Sequence, residues 1–161
     1  MKTKTNLTHW ADEEFVEKVL RGKGKPISKG FMKPNGFWLS VNGSWEEWLE
    51  GNWEGWLENK VCLKATLSDD INLFIIDSKQ TFIDKFKELT NHNYHRLEMF
   101  SKYETINLFH NEIKKHYDGM WLKSEPFWRH RLDFNFMYFY GWDCESIVVW
   151  NREKISFKRM T

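Results

Sequence analysis

The spacing of apolar residues changes along the chain, and each change predicts an element. Residues 37–41 form a run of bulky side chains with a serine near its end. Turn sequences frame it, Pro34-Asn35-Gly36 before and Asn42-Gly43 after, so it reads as a short strand. Ser44 stands where an N-cap is expected and Glu47 completes a capping box, which predicts a helix next. Trp45, Trp48, Leu49, Trp53 and Trp56 share one face of that helix if it runs through Gly51. The stretch WEEWLE is echoed by WEGWLE eight residues later, a local duplication too short to define a repeat fold.

Ahead of this unit, residues 6–10 are β-prone, and residues 12–20 carry Phe15, Val16, Val19 and Leu20 at helical spacing. Residues 21–26, basic and glycine-rich, break that helix without the frame of a phosphate-binding P-loop. Beyond the tryptophans, residues 61–67 alternate as a half-buried strand, and Ser68-Asp69-Asp70 turns into a second, more apolar strand over 71–76. Asp77 or Ser78 then caps a helix bearing Phe82, Ile83, Phe86 and Leu89. Residues 90–104 are polar and read as irregular, and 106–116 as a helix. Tyr117-Asp118-Gly119 leads into a strand at 120–122, and Ser124-Glu125-Pro126 reads as a break. An aromatic-dense stretch over 127–140 precedes a strand at 146–150. Strands and helices mix without regular βαβ alternation, which predicts an α+β fold in a single domain over 1–161.

At 161 residues the chain can bury about two-thirds of its extended surface. Lysine and arginine number 24 against 23 acids, so a strongly basic nucleic-acid binder is disfavoured and nucleic acid ranks last among partners. Ten tryptophans, 13 phenylalanines and five tyrosines point to an aromatic core, or to faces on which a base, nicotinamide or sugar stacks. Cys62 and Cys144 make no CxxC pair, which argues against a disulfide framework or a cysteine zinc site. His92 and His95 could share a helical face, but no third metal ligand accompanies them. The N-terminus lacks the apolar core of a signal peptide, and no apolar run is long enough to span a bilayer. The expected location is therefore cytoplasmic, with no membrane partner.

Several stretches together carry a resemblance. His9-Trp10, a helix and GFWLS, then VCLKATL and INLFIID, then YDGMWL and ESIVVWNREKI, follow the order of the ADP-ribosyltransferase-like superfamily over about residues 6–157. KPNGFWLS and YGWDC also resemble stretches of small phage and bacterial proteins. The superfamily resemblance implies a split β-sheet with flanking helices that grips NAD as substrate. In that likeness His9 seats the adenosine ribose, Trp38 and Ser40 flank the nicotinamide, and a late acid stabilises the charge that develops as nicotinamide leaves. Aligned on VVWN, the family's glutamate falls on Ser146, so the acid is Glu145, or Asp143 two residues earlier on the same strand face. Trp10 would add a stacking wall beside Trp38. Arg129 or Arg131 would hold the pyrophosphate, ahead of Arg21, Lys23 and Lys25.

The implied function is an NAD-dependent mono-ADP-ribosyltransferase or NAD glycohydrolase acting on a macromolecular target, as in toxins or phage–host conflict. The alternative is an inactive relative that binds a host or phage protein.

Overall fold

A computed structural model describes residues 5–23, 33–53, 55–133 and 136–160, without the side chains of 99 and 100. Among these, seven strands join in one open sheet: β1 (Leu7–Asp12), β2 (Phe37–Val41), β3 (Lys60–Leu67), β4 (Leu73–Ile76), β5 (Gly119–Leu122), β6 (Ser146–Val149) and β7 (Ile155–Arg159). Their order across the sheet is β4-β5-β6-β2-β1-β3-β7. Only β4 and β5 run parallel; every other neighbouring pair is antiparallel. Five helices accompany the sheet: α1 (Glu13–Leu20), α2 (Ser44–Asn52), α3 (Lys79–Thr90), α4 (Met99–Ile113) and α5 (Ser124–His130). The architecture is a single mixed α/β domain. No helix among the described residues is long and apolar enough to cross a membrane.

Alternation along the strands sorts side chains to two faces. Leu7, Phe37, Leu39, Leu63, Ile147 and Val149 pack on one face beneath Val16 and Val19 of α1. Trp38, Phe74, Ile76, Met120 and Val148 pack on the other, against α3, α4 and the chain over 136–142. The second core is built from rings. Phe82 stacks on Tyr138 at 4.1 Å and meets Phe109 and Phe136 edge to face at 5.3 and 5.4 Å, geometries that add to area burial. Much of the aromatic surplus is therefore core.

The sheet is narrowest in pairing at its middle. β1 and β2 pair only at Leu7↔Val41 and Thr8↔Ser40, while β1 continues against β3 as far as Asp12↔Lys60. Where that ladder stops, the His9 ring bridges the gap, with Nδ1 2.8 Å from the Trp38 carbonyl oxygen. That oxygen can only accept, so Nδ1 carries the proton. Gly119 lies beside β6 where a side chain cannot fit: a Cβ there would fall 2.4 Å from the Val148 oxygen.

Several sequence expectations are corrected. Asp12 ends β1 and stands as the N-cap of α1, but its carboxylate accepts from Lys60 instead of capping the helix, which begins at Glu13. The N-cap of α2 is Gly43, at φ 83°, and the expected capping box is absent. Ser40 takes over that work from β2, accepting the Trp45 N–H at 3.1 Å, while Ser44 Oγ donates to the Glu145 carbonyl at 2.6 Å. The α2 helix ends at Asn52, so Trp53 and Trp56 lie on the following turn. Residues 99–113 form one helix where part of the stretch reads as irregular. Ser124-Glu125-Pro126 opens α5 instead of breaking the chain, because a first helical turn needs no N–H from proline.

Candidate functional site

The tryptophan-rich α2 helix, with the turn that follows it, and the chain over 138–144 border a cavity of about 720 Å³ that Trp38 of β2 also lines. Its walls are Trp38, Trp45, Trp48, Trp53, Trp56, Trp142 and Tyr140, with Leu49, Asn52 and Cys144 between them. Trp38 and Trp142 meet at 4.7 Å, Trp45 and Trp56 at 6.2 Å, and Trp48 and Trp53 at 6.4 Å. Both copies of the duplicated Trp-Glu segment contribute, so the duplication is the sequence signal for this wall. Trp53 and Tyr140 are exposed at the rim, and Trp128 and Leu132 are also exposed nearby in sequence to Arg131. The size falls within the usual range of small-molecule sites.

Three charged side chains line the same cavity: Lys33, Arg131 and Asp143. Lys33 Nζ donates to Asp143 Oδ2 at 2.6 Å and lies 5.4 Å from the centre of a Trp38 ring. The Arg131 guanidinium sits 5.0 Å from the Phe127 ring centre. Two donors on the lining residues, Arg131 Nε and Trp142 Nε1, are buried without an acceptor in hydrogen-bonding geometry among the described residues. Both atoms are sealed from solvent, and the Trp142 indole faces Tyr138 within the ring core, so the donors open to a ligand are those of Lys33 and the outer nitrogens of Arg131.

Asp143 reaches the cavity through an unusual turn. Its φ is 63° and its ψ −45°, and Cys144 N donates to the Trp142 oxygen at 2.7 Å across it. This is a γ-turn of the positive-φ kind, rare in proteins and strained by about 1–3 kcal/mol. Trp142 and Cys144 on either side are buried, and their packing holds the turn in place. Burial pushes the Cys144 thiol up to about 11, so it stays protonated at neutral pH and is no nucleophile.

The remaining candidates are distributed elsewhere. The turn interrupts strand alternation, so Asp143 and Glu145 do not share a face as expected. Glu145 Oε1 accepts from Trp121 Nε1 at 3.0 Å, and Trp121 packs with the α1-side core. His9 lies on that α1 side too, between the rings of Phe37 and Phe157. Burial holds its pKa below the ordinary value; the bond to the Trp38 carbonyl opposes the shift and the Arg152 charge adds to it. Ser40 and Trp10 are on the cavity side of the sheet but meet Glu46: Ser40 Oγ donates at 2.9 Å and Trp10 Nε1 at 2.8 Å. Arg129 is exposed and paired with Glu125. Arg21 and Lys23 are exposed after α1, and Lys25 lies outside the described residues. Of the eight principal candidates, the cavity thus gathers Trp38, Arg131 and Asp143. Lys33 is a charged member of the cavity that the sequence reading did not single out, and Glu46, outside the lining, is the acceptor that engages Ser40 and Trp10. His92 and His95 join no metal-binding cluster among the described residues.

No protein-family model, curated protein or solved structure matches the chain.

Proposed function

We propose that the tryptophan-walled cavity binds NAD and that the protein is an NAD-dependent ADP-ribosyltransferase or NAD glycohydrolase with Asp143 as its acid. The observation that carries this reading is the composition of the cavity. Indole walls suit a planar ring, and Lys33 and Arg131 bring positive charge to meet a pyrophosphate. Aromatic stacking is worth about 1–3 kcal/mol per base, and guanidinium bonds to phosphate are charge-assisted. The narrow β1–β2 junction supports the split sheet that the sequence resemblance implies.

NAD supplies a glycosidic bond whose heterolysis leaves positive charge on the ribose carbon, the bonding pair departing with nicotinamide. The residues of this chain then have separate tasks. Trp38 and the α2 tryptophans hold the ring and exclude water. Arg131 and Lys33 hold the anionic part. Asp143 sets a fixed negative charge beside the developing positive one, and removal of one such preorganised group lowers turnover about 100- to 1000-fold.

The test is release of free nicotinamide from NAD, with and without cell lysate as a source of acceptor. Asp143→Asn is expected to lower release by about two orders of magnitude, and Glu145→Gln, on the other sheet face, to leave it within about threefold. Full turnover in Asp143→Asn would remove that residue from the chemistry.

A second reading is an inactive relative that binds a protein. It is favoured by Glu145 pointing away from the cavity and by the engagement of Asp143 with Lys33. It predicts no nicotinamide release and no quenching of tryptophan fluorescence by NAD.

A further inference from the structure

We infer that the Lys33–Asp143 ion pair is a latch that an arriving phosphate opens, so that one lysine both recruits the anionic ligand and, on doing so, uncovers the carboxylate. The inference rests on the nucleotide reading of the cavity and adds to it a means of control at the same site. Lys33 Nζ sits 2.6 Å from Asp143 Oδ2, and both residues line the cavity. The two partners are constrained differently. Asp143 is fixed by a positive-φ turn wedged between buried Trp142 and Cys144. Lys33 reaches the cavity on a long, rotatable side chain beside Trp38. When a phosphate competes, the lysine is therefore the partner that moves and the carboxylate the one that stays. Both side chains retain contact with solvent, and such a pair is weak and easily exchanged. A phosphate carries more charge and more acceptor atoms than the carboxylate it displaces. With Lys33 in place, the negative charge of Asp143 is offset by its partner; with Lys33 drawn onto the ligand, the charge is free to act.

The latch predicts opposite effects on binding and turnover. Asp143→Asn is near-isosteric and leaves the packing of Trp142 and Cys144 around the turn in place, and it removes the charge that holds Lys33. ADP should then bind about fivefold tighter than to the wild type, the equivalent of one weak exposed ion pair, while uncharged adenosine is unchanged. Lys33→Met should weaken ADP and leave adenosine unchanged, and Lys33→Arg should restore ADP binding. The deciding measurement is a double-mutant cycle on the full chain, read by quenching of tryptophan fluorescence with ADP and adenosine. Melting curves of each variant verify that it is folded. If the gain from Asp143→Asn disappears in the Lys33→Met background, the pair acts as a latch. A gain that persists without Lys33 overturns the latch, because the carboxylate would then repel the ligand directly. ADP and adenosine binding with no gain in Asp143→Asn also overturns it and leaves the nucleotide reading standing. If neither compound quenches the wild-type protein, the nucleotide reading falls and the latch falls with it.

Discussion

Glu46 collects donors from two strands: Thr8 and Ser40 hydroxyls and the Trp10 indole all reach its carboxylate. Hydrogen bonds to a charged group contribute about 1.5–3 kcal/mol each, and truncation leaves the donors without an acceptor. Glu46→Ala is therefore expected to lower stability by about 2 kcal/mol in urea unfolding, against a change within about 0.5 kcal/mol for exposed Glu14→Ala. Nothing in the sequence near Glu46 marks it, because its partners are brought in by the β1–β2 pairing. Asp143 was legible as a candidate acid but not as the one at the cavity. Strand alternation assigns it the same side as Glu145, and only the positive φ at Asp143 separates them. His9 was legible as a singular residue, yet its role as a bridge to the Trp38 carbonyl depends on where a ladder ends, which no local pattern encodes.

At the level of elements, the strands were the most readable parts. β2, β3 and β6 are short apolar runs bounded by turn residues, and the structure has them within a residue or two of the expected bounds. Helix ends were less readable. α2 borrows its cap from Ser40 on a neighbouring strand, and α5 admits Pro126 in its first turn. The tryptophan face was legible as a pattern, and its use was not: the helix stops at Asn52, and the chain that follows folds Trp53 and Trp56 back into the same wall. Two glycines separate the element's own preference from its surroundings. Gly51 sits in α2 with open space around it, so Gly51→Ala should raise stability by about 0.5–1 kcal/mol through helix propensity. Gly119→Ala would drive a Cβ against the β6 backbone and should lower stability by about 3 kcal/mol or prevent folding. Chemical denaturation of the two variants side by side measures both.

Across the whole molecule, acid is expected to act through buried histidines on both faces of the sheet. Burial, with a smaller contribution from the Lys114 charge, lowers His110 to about 3, and burial also lowers His9. The unfolded chain takes up protons near the ordinary value of 6.5 while the folded chain does not. The stability contributed by the neutral rings is thus complete above that value and is lost as pH falls below it. The slope is about 1.4 kcal/mol per pH unit for each ring that stays neutral. Denaturation midpoints taken between about pH 7 and about pH 5 should fall in the wild type and fall less steeply in His110→Gln. The two-pair junction between β1 and β2 has a different kind of consequence. It divides the sheet into β4-β5-β6-β2 and β1-β3-β7. The polypeptide passes over that line from β1 to β2, from β2 to β3, from β3 to β4 and from β6 to β7. The seam is thus sparse in hydrogen bonds and dense in covalent stitching. The two halves are therefore tethered at four places, and any widening between Leu7–Val41 and Thr8–Ser40 has to be taken up by those connections.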